Sequence, residues 1–158
     1  MYKLPGDLDN VYNGVQGPQE CAHYSLAWIE RYLKSTKGVG GKPRAPNDFK
    51  SMQRNVYGSS VNNLLEKAGM QFRKAGSILD MGFALNKGYP VFASEHLDDY
   101  AHQIVIVEIN YNLSDPVQSN VKVYNPMTGR IESRENYFNG DSQQKFFIGI
   151  PPYIISNP

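Results

Sequence analysis

The chain has one cysteine, Cys21, in 158 residues. No internal disulfide can form, and with only three histidines a thiolate-rich zinc cluster is excluded as well. Charge of one sign is also missing. Sixteen Lys+Arg stand against 15 Asp+Glu, so nothing draws the chain electrostatically to nucleic acid or to an anionic membrane. Long apolar runs are absent too. The strongest, Ile104–Ile109, is interrupted by Glu108 and is far too short to span a bilayer. The stretch Met1–Gly14 is polar, is broken by Pro5 and Gly6, and lacks the apolar core of a signal peptide. The expectation is a soluble chain with no classical signal peptide, no membrane span and no nucleic-acid partner.

What is present is enough for one core. Hydrophobic residues make up 41% and charged residues 20%, so a single domain over 1–158 is expected. Residues 1–20 read as an irregular arm with turns at Asn13-Gly14 and Gly17-Pro18. From Cys21 to about Leu33 the apolar positions Ala22, Leu26, Ile29 and Leu33 recur at helical spacing, with Ser25 among them. Glu30, Arg31 and Lys34 fall on other faces. The basic, glycine-rich stretch Lys34–Pro46 looks like a phosphate loop, but Pro43 follows Lys42 and no strand precedes it, so that reading is rejected. The wider basic stretch Lys34–Arg54 reads as a solvated loop or a docking surface for a partner. Short helices are expected over Pro46–Val56, Ser60–Ala68 and Ser77–Lys87, the second capped by Ser59 or Ser60 and the third stopped by Gly88.

After Gly88 the period becomes that of strands: Pro90–Ser94, Ala101–Asn110, Asn120–Asn125, Gly129–Ser133 and Lys145–Ile150. Helices come first and strands second. The expected fold is α+β, with the helical half bearing Cys21 packed on an antiparallel sheet.

Cys21 stands where a helix should begin, and unpaired N–H groups there favour the thiolate. A cysteine nucleophile also needs a histidine. His102 opens one strand and Asn125 closes the next. Pairing them places Ile104 opposite Val123 and Ile106 opposite Val121, with the turn within Asn112–Pro116. An Asn carbonyl beside an imidazole fixes its tautomer. His96 is the rival, but pairing it with Asn125 cuts the turn into the apolar strand. His23 reads as structural or surface, and the acidic run Glu95, Asp98 and Asp99 as a solvated loop, with selection of basic substrates as its alternative role. Trp28, Tyr24 and Tyr32 read as core. Gln16 and Gln19, just upstream of Cys21, are candidate oxyanion donors beside the Cys21 backbone N–H.

Three segments, Val15–Leu33, Ala101–Asn110 and Val123–Arg130, together resemble the papain-like cysteine peptidases in their order Gln, Cys, His, Asn. Within that superfamily the short chain is similar to bacteriocin-processing peptidase-like domains and to cysteine protease effectors that bacterial pathogens inject into host cells. The resemblance implies Cys21 as nucleophile, His102 as general base and acid, Asn125 as the group orienting the ring, and Gln16 in the oxyanion hole. It implies a protein or peptide substrate, no cofactor or metal, and a secreted or injected protein. Gln16 stands one residue closer to the cysteine than the family's glutamine usually does, which keeps Gln19 in play. Ala22 replaces the aromatic residue often found after the cysteine, and many bacterial relatives carry Asp in the place of Asn125. Protease action is the first expectation. Glutamine deamidation or transamidation, cell-wall amide cleavage, and a non-catalytic module of the same shape are the alternatives.

Overall fold

In two neighbouring strands the runs Val91–Glu95 and His102–Val107 are buried at every position, and this dictates the layering. Alternation fails in them because both sheet faces are covered. A computed structural model of the chain describes residues 1–36, 41–56, 60–97, 100–138 and 146–149. Its elements are β1 (Tyr2–Lys3), α1 (Cys21–Thr36), α2 (Pro46–Met52), α3 (Val61–Ala68), β2 (Phe72–Lys74), α4 (Ile78–Asn86), β3 (Val91–Leu97), β4 (Tyr100–Asn110), β5 (Asn120–Asn125), β6 (Arg130–Arg134) and β7 (Phe146–Gly149). The sheet runs β2-β7-β3-β4-β5-β6 with every pair antiparallel, and β1 joins β4 at Ile109 and Glu108. The chain is therefore a mixed α+β fold of four helices and an antiparallel sheet among the described residues. None of these helices is long and apolar enough to cross a membrane.

Helix α1 is the core element. Leu26, Trp28, Ile29 and Leu33 are fully buried, and Tyr32 nearly so. Trp28 stacks on Tyr32 at 5.4 Å between centroids and on Tyr124 of β5 at 5.9 Å, which seats the helix against the sheet. Such pairs add roughly 0.5–1.5 kcal/mol each beyond their buried area. Tyr24, expected in the core, is half-buried and meets the Tyr12 ring at 6.3 Å between centroids.

The expected outward face of α1 is corrected at Glu30, which is fully buried. Its carboxylate accepts from Arg44 Nη2 at 2.6 Å, Arg44 Nε at 2.9 Å and the Arg44 backbone N–H at 2.8 Å. Arg44 also donates to the Ala68 carbonyl at the end of α3 and lies over the Phe49 ring. The basic stretch is therefore not simply a solvated loop: it sends one arginine inward and includes α2.

The N-terminus of α4 is built as the sequence suggests. Ser77 Oγ accepts the Asp80 N–H, and Asp80 takes both guanidinium nitrogens of Arg73 at 2.7 Å and the Gly76 N–H at 2.8 Å. The Arg73 hydrogen bonds, then the Gly76 one, lower the Asp80 carboxyl to about 2. The stabilisation is complete above the unfolded value of about 4 and is lost as pH falls toward 2. Because the pair sits at the surface, Asp80→Asn should cost only about 0.5–1 kcal/mol near pH 7 in urea titrations, and close to nothing at pH 2.

Two short strands, β1 and β2, lie where no strand was expected. The β4–β5 register also differs. Ile106 pairs with Val123, not Val121, and a bulge at Val107 brings Ile109 opposite Val121. The connection spans 111–119 and includes a 3-10 turn at Pro116–Gln118, so the turn is not confined to Asn112–Pro116. The discrepancy at Ile106 is two residues, an even number, so side chains keep their faces. Ser60 precedes α3 without a side-chain cap. Ser59, Asp98, Asp99, Lys145 and Ile150 lie outside the described residues.

Candidate functional site

Helix α1 begins at Cys21, as its sequence predicts. Its start is tied on three sides. Glu20 accepts the Gly17 N–H at 2.7 Å and pairs with Lys50 of α2 at 2.7 Å. His23 is buried, with its Nε2 2.7 Å from the Gln53 carbonyl, so its role is structural. Ser25 Oγ donates to the Gln103 carbonyl of β4 at 3.0 Å. Strand β5 pairs with β4 only from Val105 onward, which leaves the backbone at Gln103 to be met by α1. The Gln103 carbonyl is taken by Ser25, and the Gln103 backbone amide is the first of the groups that favour the Cys21 thiolate. The half-buried thiol therefore lies against the residue that follows His102.

His102 is buried, and its Nε2 is 2.8 Å from Asn125 Oδ1. In the observed register Asn125 is a diagonal neighbour of His102 on the same sheet face, not its direct partner. The tautomer follows from the surroundings of the amide. The Met127 N–H, a donor only, contacts Asn125 Oδ1 at 3.1 Å. Glu132 Oε1, an acceptor when ionised, takes Asn125 Nδ2 at 3.1 Å. Oxygen and nitrogen of the amide cannot be exchanged without breaking both bonds. His102 Nε2 must therefore carry the hydrogen, and Nδ1 is the basic nitrogen. His96 lies in β3 with its backbone opposite Ala101, while the Asn125 amide is taken by His102.

Asn125 serves a turn as well as the ring. Its carbonyl accepts the Thr128 and Gly129 amides at 3.1 and 2.8 Å. The N-terminal arm lies against this turn: the Gln16 N–H donates to the Pro126 carbonyl at 2.8 Å, and Tyr124 Oη donates to the Gly14 carbonyl at 2.8 Å. Gly129 has φ +71°, and a Cβ there would collide with the Asn13 carbonyl oxygen, so glycine is required. Gln16 is half-buried, its Nε2 donating to the Gly17 carbonyl at 3.0 Å and its Oε1 buried with no partner among the described residues. Gln19 is exposed, in the left-handed region at φ 60°. Of the two glutamines, Gln16 is the one bonded beside Asn125.

The expected low thiol pKa is corrected. Burial raises the Cys21 thiol above its ordinary value, and the Gln103, Ala22 and Cys21 amides only partly offset it. Cys21 therefore rests as a neutral thiol. Its alkylation by iodoacetamide, followed by mass spectrometry, should keep accelerating with pH past about 9. A plateau at or below neutrality would reveal a resting ion pair instead.

Three further residues join the network. Glu95, expected in a solvated loop, is buried in β3 opposite His102 and pairs with Arg134 Nε at 3.2 Å. Arg134 Nη1 reaches Glu132 at 3.0 Å, and Thr128 Oγ1 also donates to Glu132. Burial pushes the Glu132 carboxyl up, but the hydrogen bonds from Thr128, Asn125 and Arg134 outweigh it and hold the group below the usual carboxylate range. A cleft of about 400 Å³ lies between the arm and the β5–β6 turn, with Tyr12, Tyr124, Thr128 and Arg130 in its walls. Cys21 and His102 do not line it. No protein-family model matches the chain, and no curated protein is similar enough in sequence to carry an argument.

Proposed function

We propose that the chain is a thiol hydrolase of papain-like type that cleaves an amide bond, a peptide bond first among them. The observation that carries the reading is the buried His102–Asn125 bond, which leaves Nδ1 basic one residue from the Gln103 amide that acts on the Cys21 thiol. Since the thiol rests neutral, His102 would take its proton as the substrate carbonyl arrives. The sulfur attacks the carbonyl carbon, and the developing oxyanion is met by the Cys21 N–H and Gln16 Nε2. The imidazolium returns its proton to the departing amine, and water then hydrolyses the thioester. Asn125 keeps the ring in its working tautomer throughout.

Glutamine deamidation or transamidation and cell-wall amide cleavage use the same steps on a different carboxamide. An exported or injected role belongs to the same resemblance and adds no residue to the site. The deciding experiment incubates the wild type and Cys21→Ala with a peptide library and, separately, with glutamine-containing peptides. New N-termini mark a protease, and ammonia release marks a deamidase. Equal outcomes for both proteins would end the proposal.

A second reading, a non-catalytic binding module, is favoured by one specific observation. The thiol is raised by burial, and His102 is only 1% exposed. That reading requires wild type and Cys21→Ala to be equally inert in the same assay.

A further inference from the structure

Glu132 stands in β6 with its backbone opposite Val123, while Asn125 is opposite Arg130. Two residues apart on a paired strand, the Glu132 and Asn125 side chains share a sheet face and meet diagonally. The contact is one-directional. A carboxylate only accepts, so the amide must present its NH2 to Glu132 and its oxygen to His102. Glu132 is itself restrained by Thr128 and Arg134, and Arg134 is clamped on its far side by Glu95. The chain of contacts thus ends in β3, opposite the backbone of the histidine it orients.

We propose that Glu132 is a positioning residue for His102, acting through the Asn125 amide to hold the ring as its Nε2–H tautomer. For catalysis this rests on reading Cys21, His102 and Asn125 as a thiol-hydrolase triad, and the test separates the two claims. Without an acceptor at position 132 only the Met127 N–H still holds the amide oxygen toward the ring, and one of the two bonds that oppose a flip is gone. The ring can then also populate its Nδ1–H form, which has no lone pair at Nδ1 to accept the thiol proton.

The tautomer is read directly by nitrogen-15 NMR of the histidine ring in the full chain. Wild type should show the Nε2–H form. Glu132→Ala should show a mixture of both, and Glu132→Gln should restore the wild-type pattern, because its amide oxygen can accept from Asn125 Nδ2. Thr128→Val, which loosens Glu132 but leaves its bond to Asn125, should stay like wild type. If Glu132→Ala does not fold, Glu132→Met, nearly isosteric and without an acceptor, takes its place. In turnover, kcat should fall on the order of ten- to a hundredfold in Glu132→Ala with KM little changed, and recover in Glu132→Gln. An unaltered Nε2–H tautomer in folded Glu132→Ala or Glu132→Met overturns the inference. A tautomer that follows residue 132 in a chain with no turnover upholds it and overturns the triad reading instead.

Discussion

Replacing Cys21 with Ala should remove amide hydrolysis by a factor on the order of 10⁴ or more, down to whatever the oxyanion donors and binding alone provide. The size of the loss follows from the count of cysteines. No other thiol exists in the chain to take over, and a hydroxyl at this position would be far harder to deprotonate. Stability should change little, because the side chain is half-buried and loses only a sulfur. His102→Ala should cause a comparable loss, since removing either member of a unit removes most of what the unit does. The two replacements together should be no worse than either one. Additive losses in the double variant, measured as kcat/KM, would show that the two residues do not act as a unit.

Arg44→Ala should be the most damaging substitution for stability, at about 3–5 kcal/mol in urea or thermal unfolding. The cause is what it leaves behind: a fully buried Glu30 carboxylate stripped of its guanidinium fork, in a helix packed on nearly every side. Against a total stability of roughly 5–15 kcal/mol, that loss should lower Tm by about 10 °C or more. Arg44→Lys keeps the charge but loses the bidentate geometry and should fall in between. Replacing Glu30 and Arg44 together by Leu and Met should recover most of the loss, because no buried charge is then left unpaired. A cost below ~1 kcal/mol for Arg44→Ala would mean the pair is solvated. Since Glu30 and Cys21 share α1, this pair also holds the helix that presents the thiol.

The start of α1, the bounds of β5 and the His102–Asn125 contact were legible because each depends on local signals: helical spacing, a β-rich run, and two consecutive strands joined by one connection. The register was not legible, because the bulge at Val107 inserts a residue for reasons set by packing around β4. The contact survived, diagonally, because the error at Ile106 was even and the two side chains kept one face. Strands β1 and β2 are too short to show a period. Buried Glu30 was hidden because a charged residue on a helix reads as exposed until its partner is known, and Arg44 lies in a stretch without periodicity. The thiol was misjudged because a helix start argues for thiolate while burial, invisible in sequence, argues against it. A signal for Glu132 did exist. The Asn125-Pro126…Gly129 turn fixes Asn125 opposite Arg130, and counting two residues further places a carboxylate beside the amide.

Trp28, wedged between Tyr32 and Tyr124, is the only tryptophan in the chain, and its indole N–H is buried with no partner among the described residues. It sits two helical turns from Cys21 on the same helix. Its ultraviolet emission therefore reports, without any label, on whether that helix is seated on β5. Any agent that lifts α1 from the sheet would shift this emission to the red, even where the rest of the fold stays intact.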